Sequence, residues 1–252
     1  MREIADLHTH ILPGIDDGAA DVSIAQKLLE LERQDGVSAI ALTPHFNCER
    51  QTTAAFIAQR AASFAALCGG TPPDDVHFKL GAEVCFSPMV AELDLAALCL
   101  EGTSYLLVEL PMSHYPPWVK ETFYELQLSG ITPLIAHVER YPYLLQNPAL
   151  LYELIEAGAL AQINAGSLLR ADARQKMCLR FLRWNLVHVL ASDTHSPTKR
   201  PPEMRRALDY VAAALSGAAA DRLCEQALCI YNGVEFTAAP PHCPHKRLCF
   251  WT

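Results

Sequence analysis

Short apolar runs rich in β-branched residues alternate along this chain with longer stretches in which apolar positions recur at helical spacing. That is the pattern of repeated βα units feeding a mainly parallel sheet. The runs predict strands over 4–7, 39–43, 78–81, 105–108, 132–136, 160–163 and 188–191, each bounded by polar or turn residues. Between them, helices are expected near 22–35, 52–67, 88–98, 118–129, 148–157, 173–184 and 202–215, several opened by Pro, Asp or Thr as helix starts prefer. Gly36, Gly130 and Gly158 stand where a left-handed closing residue belongs. Seven alternating units either close into a barrel or lie open as a doubly wound sheet, and periodicity alone leaves both open. From Pro240-Pro241-His242-Cys243-Pro244 onward the composition changes, and no helix or strand is expected.

Histidines and acids arbitrate. His8 and His10 follow the first expected strand, His45 the second, Glu83 the third, Glu109 the fourth and His137 the fifth. Asn164 ends the sixth, and Asp193 with His195 follows the seventh. All are C-terminal strand ends, which in a βα barrel converge on the face where barrel enzymes place their chemistry. Five of the ten histidines occupy such ends, which core packing gives no reason to expect, so a closed barrel is favoured. Imidazole and carboxylate donors without thiolate suit divalent zinc, manganese or iron, and bridging carboxylates admit more than one ion. In His8-Thr9-His10 strand alternation puts both rings on one side, and Asp16-Asp17 after Pro13-Gly14 can return to the same bowl. Water acidified by such ions supplies hydroxide at neutral pH, while Arg140 and Arg200 offer guanidinium forks that match phosphate oxygens. The reading is a metal-dependent phosphoesterase.

Composition narrows this picture. At 252 residues and 51% hydrophobic, the chain can bury the core of one full-sized α/β domain. Its N-terminus has no apolar stretch suited to a signal peptide and no segment approaches bilayer-spanning length, so a cytoplasmic protein without membrane insertion is expected. The net charge of −8 argues against nucleic acid as the main partner. Nine cysteines without a Cys-x-x-Cys pair suit reduced thiols. None is followed after five residues by the arginine that cysteine phosphatases need, so a phosphatase here must draw its nucleophile from the metal site.

The same residues resemble the polymerase-and-histidinol-phosphatase (PHP) superfamily, and within it the bacterial manganese-dependent protein-tyrosine phosphatases of capsule and exopolysaccharide operons. The resemblance rests on the run from Asp6 to Gly18, Thr43-Pro44-His45, Gly81-Ala82-Glu83, Glu109, the run from Ile135 to Tyr141, and Ala191 to His195 followed by Arg200-Pro201-Pro202. It implies a distorted seven-stranded TIM-like barrel over 1–233, with 234–252 as an extension of unassigned role. It further implies three divalent ions, manganese first with iron, zinc or magnesium as alternatives. One ion would take His8, His10, Glu83 and Asp193, a second Glu83, Glu109 and His137, and a third Asp17, His45 and His195, with adjacent Asp16 as the competitor for Asp17. A metal-bridging hydroxide would attack phosphorus while Arg140 and Arg200 hold the phosphate. The implied substrate is the C-terminal tail of a bacterial tyrosine autokinase. Nothing in the sequence sets an oligomeric state.

Blander readings stand beside these. Arg140 could pair with Glu139, Arg200 could be an ordinary exposed charge, and Phe46, Tyr141 and Tyr143 are expected to pack rather than bind. His77, His114 and His188 fall outside the strand-end pattern and read as structural; His242, Cys243, His245 and Cys249 lack an established metal-ligand spacing. The alternative functions are a phosphatase of a small monoester such as histidinol phosphate, a phosphodiesterase or nuclease, and a non-catalytic metal-binding regulatory barrel.

Overall fold

The computed structural model describes residues 3–69, 75–247 and 250–251. The chain runs β1 (Ile4–Thr9), α1 (Val22–Gln34), β2 (Val37–Leu42), β3 (His45–Phe46), α2 (Thr53–Leu67), β4 (His77–Leu80), β5 (Glu83–Cys85), β6 (Tyr105–Glu109) and α3 (Val119–Leu128). It continues through β7 (Thr132–Ile135), α4 (Pro142–Gln146), α5 (Pro148–Glu156), β8 (Leu160–Asn164), α6 (Ala165–Leu168), α7 (Ala173–Arg183) and β9 (Val189–Ala191). α8 (Met204–Ala214), α9 (Gly217–Asn232), β10 (Lys246–Arg247) and β11 (Phe250–Trp251) complete it.

β1 to β9 form one curled parallel wall in two arcs, β4-β2-β1 and β3-β5-β6-β7-β8-β9. A parallel bridge between Thr9 and Thr194 joins the arcs, with His10 N donating to Thr194 O at 3.0 Å and Asp193 N to His8 O at 2.8 Å. The second and third expected strands are each followed, after a two-residue break, by a short further strand, β3 and β5. Pro44 has no N–H for the ladder, and Gly81 presses so close that a Cβ there would sit 3.3 Å from Thr43 Cγ2. Because both interruptions are two residues long, register survives them: Leu42 lies opposite Leu80 and His45 opposite Glu83.

Alternation along the strands separates two cores. Ala5, Leu7, Ala39, Ala41, Leu107 and Leu134 share one face with Ala227, Ile230 and Tyr231 of α9, whereas Ile4, Ile40, Leu106, Ile135 and Leu190 pack with residues of the surrounding helices. α9 was not among the expected helices. The helix expected at 88–98 shrinks to a 3₁₀ turn at Pro88–Glu92; Leu93 is extended and Asp94 Oδ1 takes the Ala96 N–H, a local bond that competes with helix. In the tail, expected to lack regular structure, β10 and β11 pair as a small antiparallel ribbon too short for any periodicity to announce. Cys249 lies outside the described residues. The expected glycine closers hold: Gly36, Gly130 and Gly158 have φ of +83, +77 and +95°. No helix among the described residues is long and apolar enough to cross a membrane.

Candidate metal centre

Every expected strand-end ligand lies in one bowl where the parallel strands end. Glu83, the first residue of β5, stands at its middle. Its Oε2 lies 3.2 Å from His8 Nε2, 3.3 Å from His10 Nε2 and 2.9 Å from His45 Nδ1, and its Oε1 lies 3.0 Å from His137 Nε2. Asp193 Oδ1 is 3.6 Å from Nε2 of both His8 and His10. Asp17 Oδ1 lies 3.3 Å from His45 Nε2 and 3.4 Å from His195 Nε2, and Glu109 Oε1 3.5 Å from His137 Nε2. Three sets have donor atoms within 4.8 Å of one another: His8, His10 and Asp193; His45, Glu83 and Glu109; and His10, Asp17, His45 and His195.

The surrounding residues fix which imidazole nitrogen faces inward. His8 Nδ1 is 3.2 Å from Gln162 Oε1, His10 Nδ1 2.7 Å from Asp16 Oδ2, and His195 Nδ1 2.9 Å from the Asp193 carbonyl. Each partner can only accept, so each Nδ1 carries hydrogen and each Nε2 presents its lone pair to the bowl, the usual arrangement behind metal-bound histidine. His8 Nε2 and His10 Nε2 then face one another at 3.1 Å, and Glu83 Oε2 is buried without a hydrogen-bond donor. Converging lone pairs and carboxylate oxygens repel unless a cation lies among them, so the donor set fits divalent ions. The adjacent aspartates divide the work: Asp16 orients His10 and takes the N–H groups of Gly18 and His45, whereas Asp17 faces the bowl.

The field has the same sign. Burial opposes charge on His10 and His137, yet Asp16 and Glu83 lift His10 to about 10, and Glu109 with Glu83 lifts His137 to about 9. Burial likewise opposes charge on Glu83, but the surrounding histidines hold it well below the usual range; for Asp16 the bond from His10 prevails and brings it to about 2. His195 is pushed down to about 4 by burial and by His10. At His10, His45 and His137 the bowl thus stabilises positive charge, which a divalent cation supplies more fully, whereas at His195 positive charge is disfavoured.

Backbone strain marks the same place. His137 and Asp193, just beyond β7 and β9, have φ of +33° and +52°. A non-glycine residue persists there only when its surroundings over-determine it. Here the His137 N–H donates to Gln162 Oε1 at 2.7 Å and the Asp193 N–H to His8 O. Behind them Asp6 accepts from the N–H groups of His8 and Ser192, and buried Glu32 of α1 accepts the Ser192 hydroxyl.

Arg140 and Arg200 both reach Asp193 Oδ2, Arg140 Nη1 at 3.2 Å, and both stay about one third exposed. Arg140 therefore does not pair with Glu139, whose buried Oε1 instead takes Asn164 N and Ser167 Oγ. A cavity of about 220 Å³ opens at these arginines, and one of about 470 Å³ beside Asp17, His45 and Glu109. Phe46 and Tyr141 are buried; Tyr141 Oη accepts the Leu110 N–H and Tyr143 Oη donates to Pro111 O, so both tyrosines brace the loop after β6. His188 is buried and accepts the Ala161 N–H, while His77 and His114 are exposed. Among the described residues, His242, Cys243 and His245 join no metal-binding cluster.

Gln162, Asn164, Asp6 and Glu32 join the site without a metal-ligand or phosphate-binding pattern of their own in the sequence. Asn164 Nδ2 donates to Asp193 Oδ2 at 2.6 Å and Gln162 Nε2 to Asn164 Oδ1. Their signal was two amides alternating in the otherwise apolar strand Leu160–Asn164.

Comparison with known proteins agrees with this geometry. The family described as "Capsular polysaccharide synthesis, CpsB/CapC" matches residues 4–230. The tyrosine-protein phosphatase YwqE of Bacillus subtilis (strain 168) is 34% identical over 249 residues, covering 96% of each chain. The putative tyrosine-protein phosphatase CapC of Staphylococcus aureus is 35% identical over 205 residues, 79% of each. A solved structure from work on YwqE and the Streptococcus pneumoniae CpsB, described there as unique metal-dependent tyrosine phosphatases, superposes with a TM-score of 0.87 at 32% identity, covering 97% of this chain and 100% of that one.

Proposed function

The chain belongs to the CpsB/CapC family of capsular polysaccharide synthesis proteins, and from that premise we propose how it works as a metal-dependent tyrosine phosphatase. It is a hydrolase of phosphotyrosine. His8, His10, Asp17, His45, Glu83, Glu109, His137, Asp193 and His195 hold three divalent ions, manganese being the expected metal. The substrate is the phosphorylated C-terminal tail of a bacterial tyrosine kinase, met in the cytoplasm. The observation that carries this reading is the convergence, on Glu83, Asp193 and Asp17 beside two arginines, of three Nε2 atoms whose rings are held by hydrogen bonds at Nδ1.

Bound ions would acidify a water near neutral pH and neutralise charge on the phosphoryl oxygens. Glu83 turns one oxygen toward His10 and the other toward His137, so its carboxylate would serve as a ligand on both sides of the bowl. Asp193 turns Oδ1 to His8 and His10 and Oδ2 to Arg140 and Arg200, which ties the place of the ions to the place of the phosphate. The guanidinium donors that Asp193 leaves free take phosphate oxygens in a fork. Departure of the product asks little of the chain, since tyrosine's pKa near about 10 makes phenolate a better leaving group than an alkoxide.

The test compares hydrolysis of a phosphotyrosyl peptide, a phosphoseryl peptide and histidinol phosphate, with manganese and after chelation. Metal-dependent preference for phosphotyrosine is expected. Preference for histidinol phosphate would move the assignment to a small monoester, and equal turnover after chelation would overturn the metal mechanism.

A further inference from the structure

The cavity at Arg140 and Arg200 does not end at the phosphate position. It continues past Ser167 to Arg170, Arg174 and Lys199, with Glu203 as its one acidic lining residue. Five of the chain's twenty basic side chains thus meet in one depression of a protein whose net charge is −8, so the local field opposes that of the whole molecule.

These cations fall into two groups. Arg140 and Arg200 are fastened to Asp193. Among the described residues, Arg170, Arg174 and Lys199 have no ion-pair partner, and the carboxylate of Glu203 is taken up by Arg206. Arg174 lies in the first turn of α7, the end of a helix that disfavours a cation, although Asp172 already caps that end through Gln175 N. Neither packing nor local pairing rewards three exposed cations crowded here. An anion would.

We propose that Arg170, Arg174 and Lys199 form a second anion subsite, which binds another acidic side chain of the same peptide while its phosphotyrosine occupies the metal centre. The ligand chemistry is a phosphate or carboxylate near the target tyrosine; guanidinium forks favour the phosphate of a second phosphotyrosine. The proposal rests on the phosphatase reading and adds to it the place in the fold where a second acidic group of the peptide is held.

Three peptides test it, each with one phosphotyrosine and differing at one nearby position: a neutral residue, a glutamate, or a non-hydrolysable phosphonate mimic of phosphotyrosine. With manganese, kcat/KM should rise about tenfold from the neutral to the phosphonate peptide, mainly through KM, as charge-assisted hydrogen bonds imply. A glutamate effect as large as the phosphonate effect supports any acidic flank, and a smaller one supports phosphate as the natural ligand. The combined R170A, R174A and K199A variant should bring the ratio near one. Lys176→Ala, on the same helix but outside the cavity, should keep it. A ratio near one in the native protein, or one that survives the triple substitution, overturns the subsite alone. Failure to hydrolyse all three peptides overturns the phosphatase reading and the subsite with it.

Discussion

Two aspartates adjacent in the sequence have separate tasks at the mouth of the bowl, Asp17 facing His45 and His195 while Asp16 holds His10 by its Nδ1–H. Asp17→Ala should therefore remove one ion per chain, whereas Asp16→Ala should keep the stoichiometry and weaken metal binding about 10–100-fold, the cost of losing an outer hydrogen bond to a ligand. Metal content by elemental analysis, with affinity by competition against a chelator, separates the two. The sequence offers one of the pair as a candidate ligand; which one faces the bowl depends on how the loop after His10 folds back, and no residue pattern carries that. Glu32 was equally hidden, an acid in an amphipathic helix whose burial against Asp6 arises only once α1 docks. Burial, then the Asp6 charge, raise its carboxyl well above the usual range. Glu32 thus holds its proton more tightly in the folded chain than in the unfolded one. Its contribution to stability is full below the unfolded value near about 4.3 and is lost as pH climbs to the folded one, by up to about 1.4 kcal/mol per pH unit. Glu32→Gln should melt with the parent at acidic pH and above it in mildly alkaline buffer. An unchanged difference across that range would place the carboxyl outside the linkage.

The elements were read from alternation and period, and the strands came through because each is a short apolar run closed by the polar residue that it delivers to the bowl. The breaks at Thr43-Pro44 and Gly81-Ala82 depend on partner strands being interrupted in step, and α9 presents a face of small and mixed residues whose purpose appears only when Ala227, Ile230 and Tyr231 are seen against Leu7, Leu107 and Leu134. Ile230 is fully buried there, on the inner core reached from α9 and remote in sequence from every candidate ligand. Ile230→Ala should cost about 2–5 kcal/mol by loss of burial and creation of a cavity. Denaturant unfolding measures that loss, and kcat at a temperature where the variant stays folded should remain close to the parent's.

For the molecule as a whole, the parallel wall delivers candidate ligands from distant strands to one place, and the buried carboxylates gathered there make the ion-free site electrostatically expensive. Ions that bind the folded chain and not the unfolded one must stabilise it by mass action. Manganese should therefore raise the melting temperature of stripped protein in a concentration-dependent way, and Arg200→Ala, which removes no ligand, should keep that rise while weakening phosphate engagement. The most direct measurement of the central claim is a titration of stripped protein with manganese, in which bound metal and phosphotyrosyl-peptide hydrolysis are followed together. The account predicts no turnover at zero metal, activity that appears as the sites fill, and saturation at three ions per chain. Turnover by protein shown to be free of metal, or full binding at the bowl without hydrolysis, would contradict it.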